Sequence, residues 1–336
     1  MTLPQPPDEC WEHSPEAADH PLAGLLSVWR AEHCDPSLFD PLIKLCAEAI
    51  PDTAGPQSLV RFARGFHDFT IDLLGEKPEE EREPVRVARR HAFRQVVLGV
   101  ERLDQMLGEL DTGPLMRTVV QTRSGIVHCG RVRPGEYLVA AARDVDDLEL
   151  TDRRLCTLVT KIRNELHGLS DEDPGGYSDA LVSLERSGPI SNRPGESAFS
   201  PDVRQVMDAN LSVDDLHYLA LYKDWRPVYS CDVFDAPRLK SAFFTMTRHR
   251  RRELYDDLVH KARRDINHLG RSVRDVIGAG PIRIVLDVES GAVYTHVLDL
   301  DGDFLVGVTL RQSAVFRAEK RMQKVVQHIL RSPADN

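Results

Sequence analysis

Lysine is scarce in this chain: of its 43 basic residues only 8 are lysine and 35 are arginine. With abundant alanine, that skew points to a GC-rich bacterial genome. No apolar run approaches the ~18–20 residues that a membrane span needs, so no membrane partner is expected. The opening stretch MTLPQPPDECWEHSPE has neither a basic n-region nor an apolar h-region, and it reads as an acidic tail, disordered over residues 1–20, rather than a secretory signal. None of the six cysteines lies in a CxxC pair, which excludes a zinc ribbon and a thioredoxin-type centre. Scattered thiols of this kind fit a reducing, cytoplasmic setting. GxSxG, HExxH, Walker A and dinucleotide-binding fingerprints are all missing, so neither an enzyme nor a cofactor is expected.

What is present is the balance of a globular protein, with 41% hydrophobic and 29% charged residues in a chain of 336. The net charge of −10 argues against a dedicated nucleic-acid binder. Apolar residues three and four apart in PLAGLLSVWRAEH, DPSLFDPLIKLCAEAI and GPQSLVRFARGFHDFTIDLLG predict a helical N-terminal region over 21–80, with Asp35–Pro36 starting its second helix. A long helix follows within 85–110 on the stripe Ala92, Val96, Val100, Leu103, Leu107, Leu110. Three extended segments come next, at 115–122, 126–132 and 137–142, and then a closing helix over 152–167. Residues 168–202 are rich in Gly, Pro, Ser and Asp and read as a linker or mobile loop, with one helical turn around 180–186. Two helices (202–210 and 212–223), a strand in RPVYSCDVF and a long helical segment over 238–277 lead to a second meander at 281–310 and a last helix at 318–330.

The two meanders are written alike. MRTVVQTRSG (116–125) aligns with IRIVLDVESG (282–291), matching Arg117 to Arg283, Val119 to Val285 and Ser124–Gly125 to Ser290–Gly291. The expected fold class is therefore α/β (α+β). It would hold two related helix–three-stranded antiparallel meander–helix units, at 85–167 and 203–330, behind the helical N-terminal region. Two such units can pair their sheet edges, and the long helices can meet across a pseudo-twofold.

The succession of strand, Gly turn, strand, strand and amphipathic helix in RTVVQTRSGIVHCGRVRPGEYLVAAARDVDDLELTDRRLCTLVTKI resembles the roadblock (dynein light chain) family over residues 115–166, and again over 282–330. The resemblance implies a small, non-catalytic α/β domain that dimerises through a shared sheet and, in bacteria, regulates or scaffolds Ras-like small GTPases. It implies a regulatory or scaffolding function through protein–protein contacts. A small GTPase, another roadblock-like protein or a second copy in a homodimer is then the partner. The alternatives are a small-molecule sensor of GAF or PAS type, whose meanders are similar, and a DNA-associated regulator using the basic helix 248–264.

Several residues invite chemistry. Tyr218, Tyr222, Trp225, Arg226 and Tyr229 are candidates for a partner-docking patch, since Trp, Tyr and Arg dominate binding hot spots, and for core otherwise. Arg250, Arg251, Lys261 and Arg264 are candidates for anion or nucleic-acid contact, although Glu253, Asp256 and Asp257 are interleaved with them and favour a solvated or protein-docking face. Asp299, Asp301 and Asp303 in DLDGD lack the Gly and Glu spacing of an EF-hand and read as a turn. His33–Cys34 and His128–Cys129 are adjacent in sequence, which is not how catalytic Cys–His pairs meet. His67–Asp68 with Asp72 resembles a metal dyad but reads as a helix surface. No catalytic, metal or cofactor residue is assigned.

Overall fold

The structure, a computed structural model, describes residues 22, 25–50, 55–73, 79–143, 148–170, 172–178, 187–194, 201–298 and 302–331. In chain order the first elements are β1 (Leu26–Arg30), α1 (Pro36–Glu48), β2 (Ser58–Ala63), β3 (Phe66–Leu73), α2 (Glu79–Leu107), β4 (Leu115–Thr122), β5 (Gly125–Arg133), β6 (Glu136–Arg143) and α3 (Leu148–Lys161). They are followed by β7 (Ser191–Pro194), α4 (Pro201–Asn210), β8 (Tyr218–Lys223), β9 (Arg226–Asp232), α5 (Arg248–Ile277), β10 (Pro281–Val288), β11 (Gly291–Val297), β12 (Phe304–Thr309) and α6 (Val315–Arg331). The same order of strands and helices thus runs twice, and the similarity extends well beyond the two meanders.

The chain forms two compact units. One comprises Met1–Val97, Ser124–Asp171 and Ser272–Ala279, and the other Leu98–Arg123, Glu172–Arg271 and Gly280–Asn336. In the first unit five strands pair in the order β1-β3-β2-β6-β5, every pair antiparallel. In the second, seven strands pair in the order β4-β10-β11-β12-β8-β9-β7, again antiparallel throughout. Two small helix–three-strand–helix units are therefore not what the chain makes. Each meander is widened by a preceding hairpin, β2–β3 or β8–β9, and by a further edge strand. The added strands enlarge the apolar face that the helices cover, which raises the stability of each sheet above that of a bare meander.

The helical N-terminal region is also corrected. Among the described residues before α2, α1 alone is helical, and it begins as its sequence dictates, with Asp35 accepting from the Ser37 amide at 2.8 Å and Pro36 in the first turn. The flanking stretches are strands. Phe69, Ile71 and Leu73 alternate into the core, and Arg64 and Gly65 take positive φ (52° and 81°) at the turn. Residues 212–223, expected as helix, contain β8 instead, whereas the expected strand in RPVYSCDVF is β9. Part of the expected linker is ordered, as β7 and as the segment 172–178. The tail at 1–20 and the helical turn at 180–186 lie outside the described residues.

The second unit holds the clearest trace of internal symmetry. β4 pairs with β10, and Val119 lies opposite Val285, the residue it matches in the sequence repeat. Arg117 faces Asp287 while Gln121 faces Arg283, so the register runs symmetrically about that valine pair. Self-equivalent residues meeting in an antiparallel pair are the mark of an isologous contact, here made inside one chain. The end of α2 runs against α5 in the same unit, with Arg102 Nε 2.7 Å from Asp265 and Lys261 Nζ 2.6 Å from Glu109.

The Ser-Gly turns of the repeat have a steric cause. A Cβ on Gly291 would lie 2.1 Å from the Thr309 carbonyl oxygen, and one on Gly125 at 2.1 Å from the Ala142 oxygen. Gly291→Ala is therefore expected to lose about 1–3 kcal/mol, because backbone and not a flexible side chain must yield. The midpoint of urea unfolding measures it, and an unchanged midpoint would show that the β11–β12 pair relaxes freely.

Candidate functional site

The aromatic candidates divide between interior and surface. Tyr218 and Tyr222 on β8 and Tyr229 on β9 are buried. The Tyr218 hydroxyl donates to Asp256 at 3.0 Å and the Tyr229 hydroxyl to Asp208 at 2.7 Å, while Tyr222 stacks on Phe304 at 4.7 Å. Burial raises all three phenols, so they are protonated core residues and not a docking face. Only Trp225 and Arg226, at the tip of the β8–β9 hairpin, reach the surface. Trp225 sits at φ 65° with the Arg263 guanidinium 4.5 Å from its ring centroid and Phe304 at 4.9 Å.

The basic candidates on α5 do not converge either. Arg250 pairs with Glu253 at 3.2 Å and Lys261 with Glu109, while Arg251 is buried with its guanidinium over the Phe243 ring at 5.7 Å. Arg264 is exposed. Asp303 accepts from the Asp224 amide at 3.0 Å, which fits the turn reading of DLDGD; Asp299 and Asp301 lie outside the described residues.

The histidine and cysteine pairs are drawn into structural contacts. His67 and Asp68 lie on β3 and not on a helix. Among the described residues, two clusters bring metal-ligand types within 4.8 Å of one another: His33, Cys34 and Asp68, and His128, Asp152 and Cys156. In the first, His33 Nε2 meets one Asp68 oxygen at 2.8 Å, but the Arg61 guanidinium engages the other, and a fixed cation there opposes a metal ion. In the second, His128 Nδ1 and Asp152 Oδ1 are spent on each other at 2.9 Å. Burial raises the Cys34 thiol against the opposing pull of Arg61, so it is no activated nucleophile.

Arg61 on β2 also bonds Glu136 at 2.7 Å, and Arg133 meets the second Glu136 oxygen at 2.6 Å. Burial works to raise that carboxyl, but Arg133 and Arg61 together hold it below its ordinary value. This network is an internal clasp between β2 and β6.

Among the concave features formed by the described residues, one is distinguished by a basic lining, whereas those beside α3 and α4 mix acidic and basic side chains. A cleft of about 410 Å³ lies between the β2–β3 hairpin and α2 in the first unit, lined by Phe62, His67, Val87, Arg90, His91 and Arg94. Trp29 on β1 stacks flat on His67 at 4.3 Å, and the Arg90 guanidinium lies 5.5 Å from the Trp29 ring. Burial, aided by Arg90, lowers the His67 pKa to about 3, so its ring is neutral. Sequence reasoning missed this cleft because it read residues 55–75 as helix. The signal that locates it is Arg-Gly between two runs of strand-forming residues. No family model matches the chain, and no curated protein matches it by sequence.

Proposed function

We propose that this chain is a non-enzymatic regulatory or scaffolding protein that works through protein–protein contacts. The observation that carries this reading is the symmetric pairing of β4 with β10 about Val119 and Val285. Roadblock-like proteins, which the sequence resembles, dimerise through a shared sheet, and this pairing is an intramolecular contact of that kind. A helix and two strands also precede each meander, α1–β2–β3 before β4–β6 and α4–β8–β9 before β10–β12, which supports the resemblance. Several of the buried ionisable groups described above are paired within the fold, Arg61 with Asp68 and Glu136, Tyr218 with Asp256 and Tyr229 with Asp208, as in structural networks.

A small GTPase or another roadblock-like protein is the partner class that this reading implies. A ligand pocket of the GAF or PAS kind would need space between meander and helix. In the first unit that space is filled by Leu155, Leu158, Val159 and Ile162 against Val132 and Leu138. Affinity capture with the full chain from its native host, followed by mass spectrometry, is expected to recover a stoichiometric protein partner. Turnover of a generic substrate panel with no protein captured would overturn the proposal.

A further inference from the structure

We infer that the cleft between the β2–β3 hairpin and α2 is a docking site for an acidic peptide segment of a partner protein. This inference deepens the protein-contact reading above and rests on it. Among the described residues, each titratable side chain lining the cleft is His or Arg, in a chain where 53 acidic residues outnumber 43 basic ones. The basic lining that His67, Arg90, His91 and Arg94 provide runs against the chain's overall charge, and it complements a negatively charged occupant.

The shape selects a peptide over a point anion. Val87, Arg90, His91 and Arg94 follow the spacing i, i+3, i+4, i+7 and so form one stripe of α2, about 10 Å long at 1.5 Å per residue. A single phosphate spans a fraction of that length. Val87 is exposed on the stripe, so the cleft offers an apolar contact as well as charge, while Phe62 behind it is buried and closes the floor. Acidic residues flanking one apolar side chain match that arrangement. A nucleic-acid strand would call for a longer basic track, and two arginines over two helical turns do not make one.

The cleft is also preorganised. The stack of Arg90 on Trp29 and of Trp29 on His67 restrains the guanidinium, so less side-chain entropy is lost on binding. Because His67 is neutral, the charge comes from the helix side, and Arg94, exposed at the end of the stripe, can be altered without touching the stack.

The test is fluorescence anisotropy on the full chain with a labelled twelve-residue peptide of Glu and Asp around a central Leu. Its controls are the same peptide with Lys for the acids, and a labelled dT12 oligonucleotide. The acidic peptide is expected to bind, to weaken at least tenfold between 50 and 500 mM salt, and to weaken at least tenfold in Arg94→Glu and in Val87→Asp. Both variants are at exposed positions, and their melting temperatures are checked against the parent chain. No binding, equal binding of the lysine peptide, or binding unaffected by Arg94→Glu overturns the proposal, and preferential binding of dT12 replaces it with a nucleic-acid site. If the parent chain and Arg94→Glu capture the same protein partner equally, the cleft assignment fails while the protein-contact reading stands. If neither captures one, the wider reading fails.

Discussion

Lowering the pH from 7 toward 4 is expected to unfold the protein, with urea midpoints falling steadily below pH 6.5. The cause is three histidines whose pKa burial depresses to about 3: His67, His217 and His296. His217 shows why the neutral form is enforced. Its Nε2–H donates to the Val213 carbonyl at 3.3 Å, and its Nδ1 accepts from the Leu310 amide at 3.0 Å. A proton on Nδ1 would break the second bond and bury a charge. In the unfolded chain each ring takes up a proton near pH 6.5, and in the folded chain it does not. The stability is therefore fully present above about pH 6.5 and is lost as pH falls toward 3, at about 1.4 kcal/mol per pH unit for each histidine. Three together give about 4 kcal/mol per unit, against a total stability of about 5–15 kcal/mol for a typical domain.

Other groups modify this slope. Glu136, held below its ordinary value, adds stability that disappears at the acid end as it protonates. Asp72 acts the other way, since burial raises its carboxyl despite Ser58 and Arg89, and acidification relieves that penalty. Replacing His217 with Gln should lower stability at pH 7 and reduce the slope between pH 6 and 5 by about one proton equivalent. A stability that stays level from pH 7 to 5 would show that the three rings titrate normally.

Truncating Asp287 is the second large effect. Arg117 and Asp287 face each other across β4 and β10 at 3.0 Å, exposed by 1% and 0% of their side chains. Asp287→Ala leaves a guanidinium deep in the sheet without its counter-charge, which should cost about 3–5 kcal/mol. The double variant Arg117→Met with Asp287→Leu removes both charges and should recover most of that loss, since an apolar pair of similar volume is often neutral or stabilising. The same carboxylate accepts from the Gly175 amide at 2.6 Å and so ties down the segment 172–178. Hydrogen exchange at residues 172–178 should rise in the single and double variants alike, because both lose that acceptor. A single variant as stable as the parent would mean that water reaches the pair and screens it.

The repeat explains why this pair is singular. The sequence equivalent of Arg117 is Arg283, but Gln121 and not an acid stands opposite it in the strand pair. Arg283 turns instead to Glu319 on α6. The two halves share a backbone plan and have diverged in where they place their buried charge.

The sequence by itself determined the strands β4–β6 and β10–β12, the helix α1 with its Asp35–Pro36 start, and the long helices α2 and α5. Each rests on local rules: alternation bounded by Gly turns, a capping side chain, or an apolar stripe repeating every three to four residues. The stretches flanking α1, which form β1, β2 and β3, defeated those rules, because a short apolar run such as LLSVW satisfies helix and strand spacing alike, and only strand partners decide between them. Buried Tyr218, Tyr222 and Tyr229 were legible as core or as surface for the same reason, since face is assigned by what packs against it. Tertiary structure alone settled which strands neighbour each other, and with that the meeting of Arg117 with Asp287 from 170 residues away. It also brought Val87, Arg90 and Arg94 against the β2–β3 hairpin to form the cleft. Pairing across such separations is set by burial and register summed over the whole sheet, a quantity that no window of the chain contains.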